Sequence, residues 1–204
     1  MADLVLYHAV PSRSATVRWM LEEVGEPYDV HLLKFAEGDN TKPEFLAVNP
    51  QGKVPALKHK GVVITEVAAI CTYLADEFPK ARLNIPVGDP RRGVYLQWLF
   101  FGPSCIEPAI CDRAFPRKEP PRAGALGYRD IDALADIVSG ALKGGPWLMG
   151  EQFTAADVVI GAGVRWGMQF KLMPERPGFA DYAARIAARD AVVRAEKKDK
   201  EFGG

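Results

Sequence analysis

The sequence predicts an α/β domain followed by an all-helical domain, and three observations carry that division. The first third alternates short apolar runs with helical periodicity, residues 79–90 are crowded with Pro79, Pro86, Gly88 and Pro90, and from Arg91 onward only helical patterns recur. At 204 residues and 48% hydrophobic content, the chain can fill one core or two small ones. The expected organisation is a domain over 1–79, a linker over 80–90 and a helical domain over 91–204.

Leu4–His8 is an apolar run ended by Pro11 and reads as a buried strand. Val17, Met20, Leu21 and Val24 then recur at helical spacing, and Gly25 stops the helix as a C-cap glycine does. Pro27 to Leu33 supplies a second strand, so the pair is parallel with a right-handed crossover. Thioredoxin-like folds begin this way and carry their reactive group in the turn between first strand and first helix. Here that turn holds Ser12 and Ser14 where a redox protein would have two cysteines. Each serine has two readings: an N-cap of the helix, or a functional hydroxyl that donates a hydrogen bond at the reactive turn.

Residues 34–49 read as a polar loop with a short helix at Glu44-Phe45-Leu46. Asn49-Pro50-Gln51-Gly52 is a turn, and Pro55 belongs at the start of the next strand because proline gives no N–H to a ladder. A cis Val54–Pro55 bond is expected, turning the Val54 backbone outward, where it can bind a peptide. A hairpin at Lys60-Gly61 leads into Val62-Val63-Ile64. Thr65 is a good N-cap for a helix from Glu66, with Val67, Ile70, Cys71, Leu74 and Phe78 on one face. The positive end of that helix suits a carboxylate, although a capped core helix on a hairpin would look the same.

In the second domain, a helix over about 91–114 is rich in aromatics and interrupted by Gly102-Pro103 and Pro108, so a kink is expected. A loop rich in proline and basic residues (115–124) precedes a helix over Leu126 to Lys143. Thr154 and Asp157 form a capping box ahead of an apolar helix that must be central in its domain. Gly161-Ala162-Gly163 is no nucleotide loop, because no strand precedes it. The charged end, Arg194 to Gly204, is expected to fray.

Charge is balanced, 26 basic against 26 acidic residues, which argues against a nucleic-acid or membrane-surface protein. No apolar run approaches membrane-spanning length and the start has no leader pattern, so a cytoplasmic protein is expected. Cys71, Cys105 and Cys111 suggest neither a disulfide frame nor zinc, and His8, His31 and His59 lack metal-ligand spacing. No Ser–His–Asp constellation is legible.

The order of these elements, with Val-Pro-Ala-Leu at 54–57 and Thr-Glu-x-Ala-Ala-Ile-x-x-Tyr-Leu at 65–74, resembles the cytosolic glutathione S-transferase family across essentially the whole chain. The resemblance implies an enzyme that binds glutathione as co-substrate, needs no metal, activates the thiol as thiolate and directs it at a small hydrophobic electrophile held between the domains, commonly as a homodimer. The family's serine falls at or beside Pro11 when the chain is aligned back from Gly25. Ser12 is therefore the first candidate hydroxyl, Ser14 the second and Tyr7 the third. By the same resemblance Glu66 would meet the γ-glutamyl ammonium, the Val67 N–H its carboxylate, the Val54 backbone beside Pro55 the cysteinyl amide, and Lys42 or Lys53 the glycyl carboxylate. One departure stands out: Val67 occupies a position where the family usually has serine. That loss opens a second reading, a binding or assembly protein of the same fold with weak or no catalysis. A glutathione-dependent isomerase, dehalogenase or peroxidase is a third.

A hydroxyl can suffice for thiol activation. A hydrogen bond to a charged group contributes about 1.5–3 kcal/mol and a helix N-terminus about 0.3–1, against about 1.4 kcal/mol per pKa unit. Together they would lower a thiol pKa of about 8.5 by roughly one to three units, so no general base is needed.

Overall fold

The computed structural model describes residues 3–119 and 121–203. Met1, Ala2, Pro120 and Gly204, which belong to the start, the basic loop and the end read above, lie outside them. Strands β1 (Leu4–His8), β2 (Tyr28–Leu32), β3 (Ala56–His59) and β4 (Val62–Thr65) are joined by helices α1 (Ser14–Val24), α2 (Pro43–Leu46), α3 (Val67–Glu77), α4 (Arg92–Phe101), α5 (Glu107–Ala114), α6 (Ile131–Ala141), α7 (Ala155–Gln169), α8 (Phe179–Ala187) and α9 (Asp190–Glu201). They form two compact units, Met1–Arg82 with Arg189–Gly204, and Leu83–Ala188. Among the described residues no helix is long and apolar enough to cross a membrane.

The first unit is a thioredoxin-like four-stranded sheet in the order β2-β1-β3-β4, with β1 parallel to β2 and the other pairs antiparallel. Leu4, Leu6 and His8 alternate onto the buried face, where Leu6 and Leu57 meet the apolar faces of α1 (Val17, Met20, Leu21) and α3 (Ile70, Cys71, Leu74), all within a few per cent of full burial. On the other face Ala9, Leu33, Phe45 and Val54 make a smaller cluster with Tyr7 and Val48 against it. Pro55 stays out of the ladder, and Val54–Pro55 is cis, as is Val10–Pro11. Lys60 and Gly61, both at positive φ (50° and 79°), close a two-residue hairpin whose twist matches its strands.

Three local expectations are corrected. Helix α1 starts at Ser14 with Arg13 as N-cap and no side-chain cap bond, so neither serine caps it. Thr65 ends β4 instead of capping α3; the N-cap is Glu66, one residue later, at φ 69°. The C-terminal stretch does not fray. It forms α9, which packs on α1 with Ala191, Val192 and Ala195 buried, while Arg194 and Lys198 pair with Glu22 of α1. Its charges looked like a solvated tail, but they have partners on α1. For the same reason 189–204 groups with the first unit, which differs from the division into 1–79 and 91–204.

In the second unit α4 and α5 join through a π-helical turn, Gly102–Ile106, at the expected interruption. A proline N–H is missing there, so the regular ladder cannot continue. Gly102 lets α7 approach: a Cβ would fall 2.8 Å from Val159 Cγ1. Helix α6 begins only at Ile131, because Asp130 caps it through Oδ1 to the Ala133 N–H (2.7 Å). The capping box at α7 is present as read. Asp157 accepts from the Thr154 N–H (2.9 Å), the Leu148 N–H (2.9 Å) and Tyr182 Oη (3.0 Å). Gly161 lies inside α7, where a Cβ would meet Ile186 Cδ1 at 2.4 Å, so it serves close helix packing. From Leu83 on, the segment read as a linker belongs to this unit, with Leu83 and Ile85 buried and the Ala155 N–H donating to Leu83 O (2.8 Å).

Candidate functional site

Sheet register decides which loops meet. Tyr7 pairs with Ala56 and with His31, His8 with Leu32, and Ala56 with Thr65. The C-terminal ends of β1, β2 and β4 and the N-terminal end of β3 therefore lie at one end of the sheet. The turn carrying Ser12, the loop carrying Lys42, the Val54–Pro55 segment and the Glu66–Val67 corner all emerge there. From β1 to β4 is two strand spacings, roughly 10 Å, about the reach of an extended tripeptide.

The two serines separate clearly. Ser12 is half-buried, whereas Ser14 is fully buried. Ser12 Oγ donates to Ala9 O (2.6 Å), lies 2.6 Å from Ser14 Oγ and accepts from the Ser14 N–H (3.1 Å). Ser14 Oγ faces inward, 2.8 Å from His8 Nδ1, and accepts from the Ala9 N–H (3.2 Å). Tyr7 points to the opposite sheet face, where its ring packs on His31 and Phe45 (centroids 5.1 and 5.9 Å). Of the two hydroxyls in the turn, Ser12 is the one that is not fully buried.

Val54 sits just outside the β3 ladder, in one buried cluster with Ala9. The loop before it is pinned twice: Asn49 Nδ2 donates to Lys53 O (2.7 Å) and Asn40 Nδ2 to Gly52 O (3.1 Å). Gly52 is required there, since it holds φ 64° and a Cβ would meet Asn40 O at 2.8 Å. Lys42 is engaged locally with Asp39 (2.5 Å), which holds the Asp39 carboxyl below and the Lys42 ammonium above their ordinary values. Lys53 is exposed, and among the described residues it has no acidic partner.

Glu66 is exposed at positive φ, a conformation that costs a non-glycine residue on the order of 1–3 kcal/mol. The ladder of α3 begins with the Ile70 N–H to Glu66 O (2.9 Å), and no side chain caps the helix. The N–H groups of Val67, Ala68 and Ala69 thus lie outside that ladder at the positive end of the helix. Beside β1 and β2 opens a cleft of about 310 Å³, lined by Ala9, Val10, Leu33, Phe35 and Phe202 together with the Lys34–Glu37 pair.

Sequence reasoning missed the groups behind Ser14. His8 Nε2 lies 3.3 Å from Asp199 Oδ1 and 3.4 Å from Arg18 Nη1, and Arg18 Nη1 reaches Asp199 Oδ1 at 2.5 Å. A serine, a histidine and an aspartate do converge, contrary to the sequence reading. The signal was present: His8 and Arg18 stand at core positions of a strand and a helix, where an unpaired polar group is costly. Asp199 could not be assigned to them because it lies 181 residues from Arg18 in a segment expected to fray. Burial raises the Asp199 carboxyl, but the bonds from His8 and Arg18 outweigh it and hold the group below its ordinary value. Burial pushes the thiols of Cys71 and Cys105 upward, so neither is an activated nucleophile. Among the described residues no cluster of His, Cys, Asp and Glu could hold a metal ion.

Comparison with known proteins places the chain in a family. The family model for the N-terminal domain of glutathione S-transferases matches residues 2–76, and that for the C-terminal domain matches 113–190. Glutathione S-transferase D7 of Drosophila melanogaster is 29% identical over 166 residues, 78% of this chain and 73% of its own length. A glutathione transferase from Methylococcus capsulatus is 30% identical, with a TM-score of 0.79 over 97% of this chain and 98% of that one. A glutathione transferase homologue from Sulfitobacter, solved with bound glutathione, is 26% identical, with a TM-score of 0.79 over 97% and 99% of the two chains. The two domain models together span well over half of the sequence, and the chain belongs to the glutathione S-transferase family.

Proposed function

We propose that this protein is a glutathione transferase that binds glutathione along the end of the sheet and holds its thiol as thiolate against Ser12 Oγ for attack on a small hydrophobic electrophile. The observation that carries the reading is the convergence at one sheet end of an accessible hydroxyl, a strand-edge backbone at Val54 and an uncapped helix N-terminus. These are the partners that a thiol, a peptide amide and a carboxylate need, spread over roughly 10 Å. In this reading the α-carboxylate of the γ-glutamyl end meets the N–H groups at Val67, its ammonium meets Glu66, and the cysteinyl amide pairs with the Val54 backbone beside Pro55. The unpaired Lys53 is a better partner for the glycyl carboxylate than Lys42, whose charge is engaged by Asp39. Metal plays no part, and the protein works in the cytoplasm as a detoxifying homodimer.

Ser12→Ala tests the role of the hydroxyl. It should raise the pKa of bound glutathione by roughly one to two units, the worth of one charged hydrogen bond, and lower turnover at neutral pH by about tenfold or more. Glutathione affinity should stay within a few-fold. An unchanged pH–rate profile would remove Ser12 from this role. The departure at Val67 favours a second reading, a binding or assembly protein of the same fold with little catalysis. In that case glutathione binds weakly or not at all and the Ser12 substitution changes nothing.

A further inference from the structure

We propose that His8, held by Arg18 and by Asp199 of the C-terminal helix, is a positioning residue that fixes the direction of a hydrogen-bond chain through Ser14 and makes Ser12 Oγ a donor alone toward bound thiolate. The inference rests on the role proposed for Ser12. It follows from placing one proton at a time. A carbonyl oxygen cannot donate, so the 2.6 Å contact between Ser12 Oγ and Ala9 O contains the Ser12 proton. The 2.6 Å contact between the two hydroxyls must then contain the proton of Ser14. Ser14 has no second proton to give, and its longer 3.3 Å approach to Ala9 O is the contact left without one, so the 2.8 Å contact to His8 contains a proton on Nδ1.

The far side of the imidazole agrees. A neutral ring with its proton on Nδ1 presents a lone pair at Nε2 to Arg18 Nη1, 3.4 Å away. A protonated ring donates from Nε2 to Asp199 Oδ1 at 3.3 Å instead. Both forms keep the Nδ1 proton. The remaining tautomer could also donate from Nε2 to Asp199 Oδ1, so the Ser14 side decides: an unprotonated Nδ1 would take the Ser14 proton and reverse the chain, and the 2.6 Å contact of Ser12 with Ala9 O would then hold no proton.

In the resting order, His8 Nδ1–H donates to Ser14, Ser14 to Ser12, and Ser12 to Ala9 O. Ser12 Oγ already accepts from the Ser14 hydroxyl and the Ser14 N–H, so both its lone pairs are taken. Its proton is then the one polar contact it can offer a ligand, by swinging from Ala9 O to the sulfur. Each donor in the chain polarises the next, with the Arg18–Asp199 pair behind them. Arg18 is in turn seated over the ring of Phe202, 4.8 Å from its centroid, so the end of the chain closes the relay.

Two measurements test this. In the wild-type protein, imidazole ¹⁵N resonances should show Nδ1 of His8 carrying a proton, with His31→Gln and His59→Gln used for assignment. An unprotonated Nδ1 with the proton on Nε2 would overturn the inference without any core substitution. In variants, His8→Phe should raise the pKa of glutathione thiol in the bound complex by about half to one unit while glutathione affinity stays within about twofold. His8→Asn, whose side-chain amide can donate from near the Nδ1 position, should recover most of the shift. A purely structural His8 would disturb affinity and stability in both variants without moving the thiol pKa. If Ser12→Ala raises that pKa and His8→Phe does not, the relay falls and the role of Ser12 stands. If neither does, both fall.

Discussion

At the scale of single residues, Val67 is the most informative position. Its backbone N–H remains at the positive end of α3, but valine has no hydroxyl to add a second donor to a carboxylate held there. One charged hydrogen bond contributes about 1.5–3 kcal/mol, which is roughly tenfold to a hundredfold in affinity. Val67→Ser should therefore tighten glutathione binding by about tenfold in a calorimetric titration. The neighbouring backbone would already satisfy part of a carboxylate bound there, so the lower end of the range is expected. No change in affinity would mean that the γ-glutamyl carboxylate lies elsewhere. Ser12 was legible in the sequence as a hydroxyl in the turn after the first strand. What separates it from Ser14 is the direction each side chain takes, and that depends on His8 occupying the buried face behind the turn.

At the scale of elements, α9 is the part the sequence misrepresented. A run such as Arg194 to Gly204 has the composition of a solvated tail, and the buried positions of α9, Ala191, Val192 and Ala195, are small and few. What holds it is charge: Glu22 on α1 is 6% exposed and meets Arg194 (3.0 Å) and Lys198, while Arg189 pairs with Glu23 (2.5 Å). Burial by itself raises the Glu22 carboxyl, but its bonds with Lys198, Tyr28 and Arg194 outweigh that and hold it below its ordinary value. A carboxyl lowered by folding contributes stability above its unfolded pKa, about 4.3, and that contribution is lost as pH falls through the lower folded value. Glu22→Gln should thus be less stable than the wild type by about 1–3 kcal/mol near neutral pH. The gap should close on acidification below pH about 4. A gap that stays constant to pH about 2 would show that the side chain's shape, and not its charge, anchors α9. By contrast the capping box at α7 was readable in advance, because Thr154 and Asp157 satisfy each other within four residues and need nothing distant.

At the scale of the whole molecule, local chemistry was legible and long-range pairing was not. The strand–helix–strand start, the hairpin at Lys60-Gly61, the cis Val54–Pro55 and the aromatic helix broken at Gly102-Pro103 all follow from neighbours in sequence. The return of the chain end to α1, and with it the relay behind Ser14, needed the fold. Family membership and fold now rest on the matched domain models and on the sheet order. The central functional claim is that the sheet end bearing Ser12, Val54, Glu66 and Val67 binds glutathione. Calorimetric titration of the intact protein with glutathione near neutral pH tests it most directly. The account predicts saturable binding with a Kd between about a micromolar and low millimolar, or about −8 to −4 kcal/mol. No heat of binding at several millimolar glutathione would contradict it and identify Val67 as the mark of a disabled site.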